Sequence, residues 1–211
     1  MVIDSVFNAY DFDFVVAYTG SDITEAMIDK CLEIDRDFYD DEYFWNAEEV
    51  KKAVKNYGQF CFVYVDRQER QVIGYTFWFP IKTKVFNHFI KEKTMLLEIK
   101  EEFCTDFKGA DTVNLFLGGE AFVTGYNIRD MHKAVEDLFQ MRIMDLAHIG
   151  VKVKYVAMES CCRYDEEFLL PRLGLTNLVR KDKSKFYFDN YSPKVVYKDS
   201  KYAKSLEDIY I

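Results

Sequence analysis

The run TVNLFLGGEAFVTG, residues 112–125, leads through YNIRDMHKAVEDLFQM into one long apolar-striped segment that closes at Gly150. β-Branched and aromatic residues dominate the first part, which predicts a strand over 112–124. From Ile128 the period becomes that of a helix over 128–149. Met131, Val135, Leu138, Phe139, Ile143 and Leu146 fall on one side, and His132, Lys133, Glu136, Asp137 and Gln140 on the other, so Glu136 and Gln140 are expected in solvent. A strand, a long helix and a further strand in VKVKYVAMES make a crossover unit, so strands 112–124 and 152–159 are expected to run parallel. The pair Gly118-Gly119 predicts a bulge that makes these strands splay, or a close approach of other groups to the backbone.

Upstream, DFDFVVAYTG reads as a strand. SDITEAMIDKCLEIDRDFY reads as a helix capped by Ser21 or Asp22, with Ile23, Met27, Cys31, Ile34 and Phe38 at core spacing. NAEEVKKAVKNYG predicts a second helix, capped by Asn46, with Glu48 and Glu49 in its first turn and Gly58 closing it. QFCFVYVD and QVIGYTFWFPI, joined by RQER, predict an antiparallel hairpin. Residues 84–109 read as a helical segment inserted between two strands. Downstream, RYDEEFLLPRLG predicts a short helix with Pro171 near its end, and TNLVRK with SKFYFDN a closing hairpin. Residues 191–211 are polar and tyrosine-rich, and read as a peripheral C-terminal tail. The order describes an α+β fold built on a mixed α/β sheet. With 211 residues, 49% of them hydrophobic, it is expected to form a single domain over 1–190.

The formal net charge of -8 argues against a nucleic-acid partner, because binding phosphates along a polymer needs a basic face. The longest apolar run, VIGYTFWFPI, is too short for a bilayer, and the N-terminus lacks a basic region ahead of an apolar one. The expectation is a soluble cytoplasmic protein without a membrane partner. Cys31, Cys61, Cys104, Cys161 and Cys162 show no metal-ligand spacing and read as reduced thiols, so no metal site is expected.

The element order, the stretch GGEAFVTGYNIRDMHKAVEDL and the late FLLPRLGL together resemble the GNAT N-acetyltransferase superfamily over residues 12–190. The resemblance implies a GNAT-like acyl-CoA N-acyltransferase fold, acetyl-CoA as co-substrate, and transfer of an acetyl group to a small-molecule amine or a protein amino group; it leaves a homodimer open. It further implies that main-chain N–H groups between strand and helix hold the coenzyme pyrophosphate. The coenzyme-binding residues would then be Phe122, Val123, Asn127, Ile128, Arg129, Asp130, Met131, His132 and Lys133. Asn127, Asp130 and His132 depart from the family's Gln/Arg and glycine positions, so the pyrophosphate loop is degraded. In LLPRLGL, Leu169, Leu173 and Gly174 agree with the late family motif, whereas Leu170 stands where the family often has its general-acid tyrosine. Glu120 is then the candidate base and Tyr164 the candidate proton donor to the leaving thiolate.

Residues 35–49, DRDFYDDEYFWNAEE, interleave carboxylates with aromatic rings. Such a surface attracts a cationic amine by Coulomb and cation–π attraction, which makes Asp35, Phe38, Tyr39 and Tyr43 candidate acceptor-binding residues. Two functions of different class stay open: an active N-acetyltransferase, and a catalytically inactive GNAT-fold binding or regulatory module.

Overall fold

The computed structural model describes residues 9–11, 15–39, 45–91, 99–123, 128–160, 162–163 and 165–210, with backbone alone for 9–11, 128 and 129. The chain divides into two compact units. The first takes the described residues of Met1–Phe79, Leu97–Cys104 and Gly118–Ile128, and the second those of Pro80–Leu96, Thr105–Leu117 and Arg129–Ile211.

In the first unit, β1 (Ala9–Asp11), β2 (Val15–Thr19), β3 (Phe60–Asp66) and β4 (Val72–Ile81, which leaves the unit at Pro80) pair in sequence order, each antiparallel to the next. The expected β3–β4 hairpin is present. Its turn is held by Asp66, whose carboxylate accepts from the N–H groups of Gln68 and Glu69 at 2.8 and 2.7 Å. Helix α1 (Glu25–Asp35) buries Ile28, Cys31 and Ile34. Its cap is Thr24 rather than Ser21 or Asp22, and the Thr24 hydroxyl accepts from Met27 N at 3.3 Å. Gly20, at φ +59°, opens a tight 3₁₀ turn that takes up Ser21 and Asp22, so the helix starts later than its first good capping residue. Helix α2 (Ala47–Tyr57) is capped by Asn46, whose side chain accepts from Glu48 N and Glu49 N.

In the second unit, helix α3 (Thr83–Lys91) opens the expected insertion, and its Phe86 and Phe89 are buried. Strand β5 (Thr112–Phe122) enters the first unit at Gly118. It pairs in parallel with β6 (Lys152–Ser160) from Thr112↔Lys152 to Leu117↔Met158. Strands β7 (Asn177–Arg180) and β8 (Lys185–Asn190) form the closing hairpin, and β8 pairs antiparallel with β6. Parallel and antiparallel pairs together make the sheet mixed, as expected. The register irregularity of the β5–β6 ladder lies between Val113 and Asn114, upstream of the two glycines expected to carry it.

Helix α4 (Ile128–His148) buries Met131, Val135, Leu138, Phe139, Ile143 and Leu146, the predicted core face. The expectation that Glu136 and Gln140 stay wet is corrected, because both are buried, as is Asp137. Residues 191–210 lie over this second face. Gln140 Nε2 donates to Val196 O at 2.6 Å, Tyr191 donates to Gln140 Oε1, and Asp137 accepts from Ser200 Oγ and Lys201 N at 2.8 and 3.0 Å. Buried amides and carboxylates persist only when bonded in this way. Val196, Tyr197 and Leu206 are buried, and Tyr197 meets Phe139 edge to face at 5.1 Å. Between β6 and β7 a π-type turn, Asp165–Leu169, runs into the one-turn helix α5 (Leu170–Leu173). Gly174 ends α5 at φ +62°, with Val195 Cγ1 2.3 Å from where a Cβ would sit.

The C-terminal segment also carries a pH dependence. Tyr210 Oη accepts from Val153 N at 2.9 Å, and burial pushes its phenol up to about 12; burial likewise raises Tyr191. A phenol whose folded value lies above its ordinary 10.0 contributes stability that is complete below pH 10 and is lost as pH rises towards 12. Urea midpoints should therefore fall across that window, and Tyr210→Phe should flatten part of the fall. A midpoint constant from pH 10 to 12 would contradict the burial of these rings.

Candidate functional site

Strand β4 carries a row of rings within the first unit. Tyr75 and Phe77 have centroids 4.6 Å apart, Phe77 and Phe79 6.4 Å, and Phe79 and Trp45 6.2 Å. The glycines of β5 lie against this row. A Cβ on Gly118 would sit 1.9 Å from Trp45 Cη2, and one on Gly119 2.7 Å from Tyr75 Oη. Close approach of aromatic groups to the backbone is thus why this strand needs glycine here. Gly118→Ala must displace a rigid indole, and overpacking of this kind destabilises by about 1–3 kcal/mol. We expect a matching drop in the urea midpoint at unchanged slope; a drop below about 0.5 kcal/mol would mean that Trp45 moves aside freely.

Two polar groups of β4 take up the candidate residues. Tyr75 Oη donates to Asp35 Oδ1, and Thr76 Oγ1 lies 3.3 Å from Glu120 Oε2, to which it donates. Consecutive strand residues point to opposite faces, so Asp35 and Glu120 reach the same stretch of β4 from its two sides. Glu120 is fully buried. Asp35 is the last residue of α1, where the helix already presents its negative end, and it is half-buried. Burial, and then the Asp35 charge, hold the Tyr75 phenol well above its ordinary value, so it stays a donor. The same two causes raise the Cys31 thiol, and Cys31, Cys61 and Cys104 are all buried. Tyr39 adds to the electrostatic load on Tyr75, while Phe38 and Tyr39 are half-buried and both donate their N–H to Asp35 O at 2.9 Å.

The candidate coenzyme residues fall in several environments. Phe122 is buried with its ring 5.5 Å from that of Tyr64, and Val123 N–H is used by Ile73 O at 2.9 Å. Ile128 and Arg129 open α4. Asp130 and Lys133 are exposed on its first turns, His132 is half-buried, and Met131 is fully buried on the core face. In the second unit Arg172 holds this end of α4: its Nε donates to Glu136 Oε1 at 2.9 Å, its Nη2 to His132 O at 3.2 Å, and its guanidinium lies 5.2 Å from the Tyr197 ring. Tyr43, Asn127 and Tyr164 lie outside the described residues. The sequence reading missed Tyr75, Thr76 and Arg172. The first two left one signal, a polar-tipped Tyr-Thr pair inside the apolar run VIGYTFWFPI. Among the described residues no group of three or more His, Cys, Asp or Glu is placed to hold a metal ion, and no helix is long and apolar enough to cross a membrane.

No protein-family model matches the chain, and no curated protein does. Solved structures match its fold. The loading GNATL domain of CurA from Lyngbya majuscula superposes with a TM-score of 0.56 at 12% identity, over 85% of this chain and 98% of that one. The GphF GNAT-like decarboxylase, in complex with isobutyryl-CoA, gives 0.55 at 13% identity over 82% and 98%. A GNAT-family acetyltransferase from Listeria monocytogenes gives 0.52 at 6% identity over 87% and 100%. These likenesses establish the fold as that of the GNAT superfamily.

Proposed function

We propose that this chain, with its GNAT-superfamily fold, is an acyl-CoA-dependent N-acyltransferase that moves an acetyl group to an amine. The observation that carries the reading is the fully buried Glu120, hydrogen-bonded by Thr76, directly after the glycine pair at the end of the parallel β5–β6 ladder. Fold alone does not choose a reaction, since the GphF protein of this fold is a decarboxylase with a bound acyl-CoA. A buried carboxylate does narrow the choice, because amine acylation must dispose of a proton. The amine nitrogen attacks the thioester carbonyl, the C–S bond breaks, and the CoA thiolate leaves. In this reading Glu120 takes the amine proton directly or through water, and Tyr164 returns a proton to the thiolate.

Coenzyme A is assigned to Phe122, the last residue of β5, to Val123 after it, to Asn127, and to Ile128 through Lys133 at the start of α4. The exposed Lys133 supplies positive charge, and Asp130 on the same turns opposes a diphosphate. The acceptor side is assigned to Asp35, Phe38, Tyr39 and Tyr43. A carboxylate at the negative end of α1 is poorly placed for the helix and well placed to attract an ammonium group, which favours a small polyamine-like molecule or a protein amino group. The test is thiol release from acetyl-CoA across a panel of amines. Release that depends on a cationic amine supports the reading. Coenzyme binding without turnover on any amine supports the inactive binding or regulatory module instead.

A further inference from the structure

In a chain of net charge -8, one open cleft of the second unit is basic. It encloses about 540 Å³ between the end of β6 and the β7–β8 hairpin, and Arg163, Arg180, Lys181, Lys183 and Lys185 line it against only Glu166 and Asp182. Register sets three of its side chains in a row. Ser160 on β6 pairs with Lys185 on β8, and Lys185 pairs with Arg180 on β7. Directly opposed residues share a face, with neighbouring strands about 4.8 Å apart, so the row is one hydroxyl and two cations side by side.

Two features of this row are unfavourable among the described residues. Like charges directly opposed across a ladder destabilise it, and Arg180 has no ion-pair partner among the described residues, while Lys185 Nζ is paired with Glu166 Oε1. The Ser160 side chain lines the cleft, yet it is 2% exposed and its Oγ has no hydrogen-bond partner among the described residues. A buried hydroxyl without a partner is unfavourable unless a water or a ligand supplies one. An anion with several acceptor oxygens answers both, accepting from the Ser160 hydroxyl and lying between the opposed cations. The geometry points to a binding site for the phosphate group of a small molecule on Ser160, Lys185 and Arg180, in a cleft large enough for the molecule that carries it. The site stands on the second unit alone and does not depend on acyl transfer.

The test is calorimetric titration of inorganic pyrophosphate into the full chain at low ionic strength. One saturable site is expected, weakening as sodium chloride is raised. Arg180→Glu should weaken it at least tenfold and Ser160→Ala about threefold, the smaller loss being that of one neutral hydrogen bond. Arg180→Glu also replaces a like-charge pair by an opposite one, so its thermal midpoint should be unchanged or higher, whereas a residue kept for the fold would lower it. Phosphate chemistry arrives either on a separate metabolite or on coenzyme A. Retention of pyrophosphate at saturating acetyl-CoA supports the first source; displacement of binding that Arg180→Glu weakens supports the second, whereas displacement of binding indifferent to Arg180→Glu puts the pyrophosphate elsewhere and overturns the cleft site. Absence of saturable binding, or binding that Arg180→Glu leaves intact, overturns it.

Discussion

Arg172→Ala is expected to destabilise the protein by about 3–5 kcal/mol, the range for breaking a buried ion pair from one side. The side chains of Arg172 and Glu136 are 13% and 11% exposed, so removing the guanidinium strands the Glu136 carboxylate away from water. The same change deletes the bond to His132 O and the stacking on Tyr197. Urea unfolding should show the loss as a lower midpoint at unchanged slope. Glu136→Leu combined with Arg172→Met should recover most of it, because an apolar pair of similar volume avoids both desolvation penalties. A single-variant loss below about 1 kcal/mol would mean that water reaches the pair. Since Arg172 grips the first turns of α4, its loss should also weaken acetyl-CoA binding, if the coenzyme sits at that end of the helix.

Glu120→Gln should lower kcat about 10²-fold near neutral pH, within the range for losing a general base. Glutamine keeps the size and can still accept from Thr76, so the comparison isolates proton transfer from packing. An amine drawn to acidic surroundings arrives protonated. Without a base, the rate should climb as pH approaches the amine's own value, and wild type and variant should converge there. A variant that turns over like wild type at neutral pH would remove Glu120 from the reaction. A uniform loss at every pH would make it a positioning residue rather than the base.

Local chemistry is what the sequence displays best. Asn46 and Gly58 bracket α2 where their capping preferences place them, and the six apolar residues of α4 occupy its core face. Thr24 was overlooked because Ser21 is an equally good cap, and only the left-handed Gly20 decides between them. Glu136, Asp137 and Gln140 were misplaced for a different reason. Amphipathic pattern reports one helix, whereas their partners are Arg172, Ser200 and Val196, far along the chain. The site divides in the same way. Glu120 and Asp35 could be singled out by type and position, but that Tyr75 and Thr76 hold them from opposite faces of β4 follows from strand pairing. The row of Ser160, Lys185 and Arg180 is likewise invisible until three strands are in register.

Acyl transfer requires that this chain bind an acyl-CoA, and calorimetric titration of acetyl-CoA into the full chain tests that most directly. The expected result is a single saturable site, weakened by Arg172→Ala and, on the proposal that Glu120 serves the amine proton, indifferent to Glu120→Gln. Absence of saturable acetyl-CoA binding by the wild-type protein would contradict the acyltransferase reading outright.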